Sequence, residues 1–176
     1  METTKWVIDP THSELLFKVK HLMITNVKGE FRNFTGEITT KGEDFTNAKV
    51  VASVDSSSVF TNNDDRDTHL KSGDFFNVEE FDKITFEGTS FEKKSDDEYT
   101  LKGNLTIIGN TKEVSLAVDF GGIATDPWGN KKAGFSITGK INRKDWGLNW
   151  NAALEAGGVL VSDEVKISAE LQFIVG

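Results

Sequence analysis

Apolar and polar residues alternate along much of the chain, and this two-residue repeat limits the fold more than any other feature of the sequence. The repeat is clearest near the end, where Val165, Ile167, Ala169, Leu171 and Phe173 alternate with mostly polar neighbours. Successive side chains of a β-strand point to opposite faces of the sheet, so the repeat predicts strands with one buried face. The same alternation recurs in further segments, namely 15–19, 50–54, 101–107, 114–120 and 135–141.

Turn-forming residues separate these segments, and no long helical pattern lies between them. The interruptions include residues 41–42 (KG) and 126–129 (DPWG). Many short strands joined by such turns predict an all-β meander or barrel. At 176 residues the chain has the length of one domain, so we predict a single domain over residues 1–176.

Two segments break the strand pattern. Residues 62–73 begin with capping residues, place acids in the first turn and end with lysine, serine and glycine, which predicts a short helix. A turn over residues 74–78 is expected to continue it. Residues 144–158, which contain Trp146, Trp150 and several glycines, predict a loop with a helical turn.

The composition excludes several classes of function. The chain has no cysteine, which removes thiol catalysis, Cys-ligated zinc and redox switching. Its formal net charge is −8 and no basic stripe appears, so nucleic acid and anionic membrane surfaces repel it at long range. No apolar run approaches the roughly 20 residues that span a bilayer, and the first residues lack a signal-peptide pattern. We therefore expect a cytoplasmic protein without a nucleic-acid partner or stable membrane insertion.

Glycine falls on the apolar face of several predicted strands, at Gly36, Gly88, Gly103 and Gly139. One explanation is curvature, because a barrel needs glycine where its strands bend sharply. The other is space, because a missing side chain on an inward face leaves volume for a ligand. An eight-stranded barrel lies at the boundary between an interior filled by side chains and one that holds a small ligand.

Blocks of sequence in a consistent order resemble the YceI-like family. They include residues 6–13 (WVIDPTHS), 66–76 (RDTHLKSGDFF), 103–112 (GNLTIIGNTK) and 141–148 (INRKDWGL), and the resemblance covers essentially the whole chain. It implies a single extended antiparallel eight-stranded lipocalin-like barrel with one or two short helices. The resemblance further implies binding of a polyisoprenoid, isoprenoid quinone, prenyl pyrophosphate or fatty-acid derivative, and frequent homodimers. No catalytic activity and no cofactor besides the bound lipid are implied.

A lipid-binding barrel needs apolar side chains on its inner face. Strand parity predicts which residues lie there, and the alternative for each of them is an ordinary packed core. The residues that we assign to the apolar bore are Phe17, Val19, Phe34, Ile38, Phe86, Leu101, Leu105, Phe135 and Ile137.

A polar headgroup needs hydrogen-bond donors at the mouth of the barrel. His12, Arg66 and His69 lie in the blocks that resemble the family, and the last two share a face if their segment is helical. Arginine suits a phosphate through its planar fork. The alternatives are structural roles, with His12 bonded to buried backbone and Arg66 paired with Asp65 or Asp67.

Other chemistries find less support. Residues 64–69 hold three aspartates and a histidine, but a helix N-terminus attracts acids, and the segment lacks the glycine and final glutamate of a calcium loop. No nucleophile elbow occurs, and nothing singles out a pair of carboxylates. Arg143 beside Lys144 is expected to form a solvated surface pair. We therefore favour a lipid carrier or store that is not an enzyme; the alternative is a dry-cored barrel acting as a stress-related protein-interaction module.

Overall fold

The computed structural model describes residues 2–151 and 160–176. Its strands coincide with the alternating segments, and its helix lies in the segment with helix start and stop signals. The helix is α1 (Asp64–Lys71). The strands are β1 (Thr3–Ile8), β2 (Glu14–His21), β3 (Thr25–Phe31), β4 (Phe34–Lys41), β5 (Asp44–Asp55), β6 (Val59–Phe60), β7 (Lys83–Lys93), β8 (Glu98–Ile107), β9 (Asn110–Thr125), β10 (Lys131–Asn142) and β11 (Glu164–Val175).

Eight strand positions close into an antiparallel barrel, which confirms the predicted fold class. Neighbouring strands follow the order β1, β4, β5, β7, β8, β9, β10 and β11. The ring closes where β11 returns to β1, with Trp6 opposite Val175 and Ile8 opposite Phe173. Every pairing in the ring is antiparallel, so each strand alternates between an inner and an outer face.

Bent strands explain why additional segments fit into eight positions. Both β1 and β2 pair with β11, and a short 3-10 turn at Pro10–His12 separates them. Proline suits this turn because it lacks an amide N–H and fixes φ. In the next position β3 pairs with β2 and β4 pairs with β1, with the bend at Arg32 and Asn33.

Aromatic side chains close one end of the barrel. The rings of Trp6 and Phe45 lie 5.1 Å apart, and Phe120 contacts both Phe45 and Phe135 at 5.1 and 5.2 Å. The buried indole N–H of Trp6 donates to Thr40 Oγ1 at 2.9 Å, so this polar group is satisfied. We call this packed region the closed end.

The opposite end carries α1. Asn63 caps the helix by accepting a hydrogen bond from the Arg66 amide at 3.0 Å, so the predicted helix and its start are confirmed. The second predicted interruption contains a 3-10 turn at Arg143–Trp146, and its residues 152–158 lie outside the described part. Within the described ranges, no helix is long and apolar enough to cross a membrane.

Candidate ligand-binding site

A cavity of about 420 Å³ lies inside the barrel, between the closed end and α1. This volume falls in the range of about 300–1,000 Å³ that is typical of small-molecule sites. Its wall is mostly aliphatic and aromatic, with contributions from the strands around the barrel. The cavity therefore suits an apolar body better than a polar one.

All nine residues assigned to the apolar bore line this cavity. Ile38, Leu101 and Phe135 are fully buried and join the packed cluster towards the closed end. The remaining members are half-buried and form the wall between the two packed clusters; they are Phe17, Val19, Phe34, Phe86, Leu105 and Ile137. The wall thus combines a packed floor with side chains that keep accessible surface.

At three of the four glycines on the apolar faces a side chain would meet a close neighbour, which corrects the explanation based on space for these positions. A Cβ at Gly103 would lie 2.7 Å from Phe86 Cε2, and one at Gly139 would collide with the Leu116 side chain. A Cβ at Gly88 would lie 3.1 Å from the Val50 carbonyl oxygen. These three glycines make room for neighbouring groups, whereas Gly36 lines the cavity and a Cβ there would lie at an ordinary 3.6 Å from Phe173.

The sequence analysis missed part of the wall. Phe31, Ile84, Leu116, Ile141 and Ala169 line the cavity from the strands, and the two-residue repeat could have identified them. Another group comes from irregular segments, where no repeat exists to reveal it. This group comprises Phe75, Phe76, Leu148, Trp150 and Leu160.

Arg66 and His69 line the cavity at the α1 end, which we call the mouth together with β2–β3 and residues 148–151 and 160–162. Arg66 Nε donates to Thr61 Oγ1 and its Nη2 donates to the Thr61 carbonyl, both at 2.7 Å. The alternative role expected for Arg66 was an ion pair with Asp65 or Asp67, and the structure has neither pair. The fork is held in place while Nη1 keeps its donors for another acceptor.

Asp67 holds Thr61, the partner of Arg66, in place. Its Oδ1 accepts from the Thr61 amide at 2.8 Å and from Thr61 Oγ1 at 2.5 Å, and the side chain is buried. His69 Nε2 donates to Asp74 Oδ2 at 2.9 Å, and its ring packs edge-on against Trp150 at 4.6 Å. Asp67 and His69 therefore stabilise the local structure of this segment.

His12 does not lie at the mouth. It ends the 3-10 turn between β1 and β2 on the outside of the barrel, where its Nδ1 donates to Asp9 Oδ2 at 2.9 Å. Asp9 also accepts from the Thr11 hydroxyl at 2.7 Å. These hydrogen bonds, with Thr11 contributing most, hold the pKa of Asp9 well below its usual value. The structure thus separates His12 from Arg66 and His69 and gives it a structural partner.

Arg143 is not a solvated surface residue, which corrects the expectation from sequence. It is 3% exposed and lines the cavity near the mouth. Its Nε donates to the Ser162 carbonyl at 2.9 Å and its Nη1 donates to the Leu148 carbonyl at 2.5 Å. Burial lowers the pKa of the guanidinium, and the carboxylate of Asp163 opposes that shift.

Comparison with known proteins adds relatives that span the whole barrel. The family model of the YceI-like domain matches residues 6–173. A UPF0312 protein of Staphylococcus aureus (strain bovine RF122 / ET3-1) is 44% identical over 173 residues, which cover 98% of this chain and 98% of that protein.

Solved structures share the architecture. A YceI protein of Campylobacter jejuni is 31% identical and matches with a TM-score of 0.77 over 90% of this chain and 91% of that one. A polyisoprenoid binding domain from Saccharophagus degradans, implicated in plant cell wall breakdown, has 15% identity and a TM-score of 0.73 over 99% and 100%. The second match concerns the fold alone.

Proposed function

This chain belongs to the YceI-like family, and from that membership and its cavity we propose that it carries or stores a long-chain amphiphile inside the barrel. The candidate ligands are a polyisoprenoid, an isoprenoid quinone, a prenyl pyrophosphate and a fatty-acid derivative. The proposed role is binding rather than catalysis, without a further cofactor, and its proposed setting is the cytoplasm.

The observation that carries this proposal is the shape of the cavity. It is apolar along its length, stops at an aromatic floor and ends at a polar mouth. Each buried methylene contributes about 0.8 kcal/mol, and micromolar affinity needs about 8 kcal/mol. A chain of roughly ten buried carbons would therefore reach that affinity before the cost of association is subtracted.

The polar end of the ligand is assigned to Arg66 and His69. Thr61 holds two donors of the Arg66 guanidinium, so the direction of its free donors is defined before a ligand arrives. Such pre-organisation reduces the entropy lost on binding. A phosphate or carboxylate would match this fork, and Trp150 and Phe75 beside His69 would cover the first carbons of the chain.

The test is organic extraction of the purified, folded protein followed by mass spectrometry, together with native mass spectrometry of the intact chain. We expect a stoichiometric long-chain species, or its uptake when prenyl and acyl lipids are offered to the empty protein. An empty protein that refuses both classes of lipid would favour the interaction-module hypothesis. The native spectrum also shows whether the protein forms the homodimer that we include in the proposal.

A matched pair of variants makes the test specific to the bore. Ile137 lines the cavity, whereas Thr138 follows it in β10 and is exposed on the outer face. Ile137→Asp should abolish lipid uptake, because a chain would then have to desolvate a carboxylate. Thr138→Asp adds the same charge outside and should leave uptake unchanged. Equal uptake by both folded variants would contradict binding in the bore.

A further inference from the structure

We propose that the β2–β3 hairpin docks the protein on an anionic lipid bilayer and holds the mouth of the barrel against it. The inference goes beyond the proposed carrier role. Its test measures binding of the protein to vesicles and needs no ligand in the cavity, so the two proposals can fail separately.

The tip of the hairpin presents consecutive apolar side chains to solvent. Leu22, Met23 and Ile24 are 38%, 47% and 77% exposed. The turn is closed by a hydrogen bond from the Ile24 amide to the His21 carbonyl at 3.2 Å. Exposed apolar side chains scattered singly are ordinary, but a run at the end of a projecting hairpin marks an interaction site.

The backbone of this turn is unfavourable for the residues that occupy it. Leu22 and Met23 have φ values of 54° and 61°, in the left-handed region. A hairpin turn with two such residues normally uses Asn-Gly or Gly-Gly, because bulky side chains are strained there. Large apolar residues therefore stand where folding alone would favour small or polar ones, and strain of this kind accompanies function.

The tip is continuous with the rim of the cavity. The Leu22 amide donates to the Leu160 carbonyl at 2.9 Å, and His21 pairs with Val161. His21, Leu160 and Val161 all line the cavity. A surface that receives the tip would therefore lie directly against the mouth.

A row of lysines crosses the outer face above the tip. The strand register aligns Lys140 with Lys166, Lys166 with Lys18, and Lys18 with Lys28. Adjacent strands lie about 4.8 Å apart, so the row spans roughly 14 Å. None of the four forms an ion pair with any residue in the described ranges. Like charges placed side by side destabilise a sheet, so the row indicates an anionic partner.

This local charge opposes the net charge of −8, from which the sequence predicted repulsion by anionic membranes. At physiological salt the Debye length is about 8 Å, so charges next to the surface dominate once contact is made. Acids also lie at the mouth: Asp64, Asp65 and Asp74 belong to α1 and the turn after it, and Asp163, just before β11, pairs with Lys144 at 3.4 Å. In the proposed orientation the barrel tilts so that the hairpin, rather than α1, faces the lipid.

The distances suit a bilayer surface. Leu22 follows Lys18 by four residues, which corresponds to about 13 Å along a strand. Interfacial apolar groups enter the lipid by about 5–10 Å, which would leave the lysine row near the headgroups. A protein partner needs about 800 Å² on each side, and three apolar side chains on a narrow tip offer far less. We therefore commit to a membrane as the occupant.

The first experiment is vesicle flotation with the full chain. We expect binding to phosphatidylcholine vesicles that contain about 30% phosphatidylglycerol, weak binding to pure phosphatidylcholine, and release at about 1 M salt. The chain has no cysteine, so Ile24→Cys and Trp128→Cys can each carry one environment-sensitive dye. Trp128 is 84% exposed in the turn between β9 and β10, at the closed end. Only the dye at position 24 should shift to the blue with anionic vesicles.

The hairpin itself is tested by a variant expected to fold at least as well as the natural chain. Leu22→Asn, Met23→Gly and Ile24→Thr together supply the residues that this turn favours, so the melting temperature should stay the same or rise. Vesicle binding should fall about tenfold or more, because the apolar side chains are lost. Unchanged binding by this stable variant would overturn the proposal.

The lysine row has its own matched pair. Lys18→Glu with Lys28→Glu should reduce binding to anionic vesicles by at least about tenfold. Lys49→Glu with Lys102→Glu changes the charge equally at exposed positions elsewhere on the barrel and should have a smaller effect. Equal losses would contradict a defined docking face. The tip would instead serve self-association if two results came together. The natural protein would have to be a dimer that does not bind vesicles, and the hairpin variant would have to be a monomer.

Discussion

The ring of Phe86 fills the position beside Gly103 where another residue would carry its side chain. Phe86 belongs to β7 and Gly103 to β8, and the register places Gly103 opposite Gly88. A Cβ on Gly103 would lie 2.7 Å from Phe86 Cε2 and 2.6 Å from the Glu87 carbonyl oxygen. Both distances are shorter than the non-bonded contacts that a Cβ can make, so glycine at this position leaves room for the Phe86 ring in the cavity wall.

Gly103→Ala should therefore destabilise the barrel. The added methyl group must displace either the ring or the backbone, and overpacking of this kind costs about 1–3 kcal/mol. Urea denaturation measures the loss in free energy of unfolding. Gly134→Ala is the control, because a Cβ there meets no heavy atom within 4 Å. A loss at Gly103 no larger than that at Gly134 would contradict the packing argument.

The contrast between Phe86 and Gly103 separates what could be predicted from the sequence from what could not. Alternation is a local property, so strand parity alone placed all nine bore residues on the cavity wall. The use of Gly103 depends on which strand lies beside it and in which register, and neither is visible from one segment. The apolar faces could thus be predicted, whereas the fit between them could not.

The mouth was harder to predict for the same reason. Arg143 and Lys144 are adjacent in sequence and were expected to be alike, yet Arg143 is buried and donates to the carbonyls of Leu148, Val161 and Ser162. Those residues lie outside the alternating segments, so no sequence repeat predicted that their carbonyls would surround Arg143. His12 was misplaced because its turn directs the side chain towards Asp9, outside the barrel.

Removal of the Arg143 side chain should lower the free energy of unfolding more than removal of the Lys144 side chain. Arg143→Ala would leave the buried Ser162 and Leu148 carbonyls without donors, which we expect to cost at least about 2 kcal/mol. Lys144→Ala removes only an exposed pair with Asp163 at 3.4 Å and should cost about 0–1 kcal/mol. Thermal or urea unfolding of both variants provides the comparison. Similar losses would mean that the guanidinium contributes little to holding the mouth together.

Asp9 should make the free energy of unfolding depend on pH in the acidic range. Hydrogen bonds from Thr11 and His12 depress its pKa in the folded protein, so its contribution is present above the usual aspartate value of about 4. That contribution is lost as the pH falls towards the lowered pKa. Asp9→Asn should therefore be less stable than the natural chain at pH 7, and the difference should shrink below about pH 4.

Denaturation at several pH values measures this difference. Asp96→Asn is a suitable control, because Asp96 is exposed in the turn between β7 and β8. Exposed substitutions of this kind usually change stability by no more than about 0.5 kcal/mol. A difference between Asp9→Asn and the natural chain that stays constant from pH 7 to pH 3 would show that the carboxylate is not the stabilising form.

Arg66 should distinguish ligands by their headgroup rather than by their chain. Arg66→Gln removes the charge and the free donors of the fork, so affinity for a prenyl pyrophosphate should fall about tenfold. Affinity for the prenyl alcohol of the same length should change little, because its chain makes the same contacts with the bore. Lys71→Gln makes the same change of charge on α1, and Lys71 does not line the cavity. If both variants weakened pyrophosphate binding equally, the effect would be a long-range one and the headgroup would have to be placed elsewhere at the mouth.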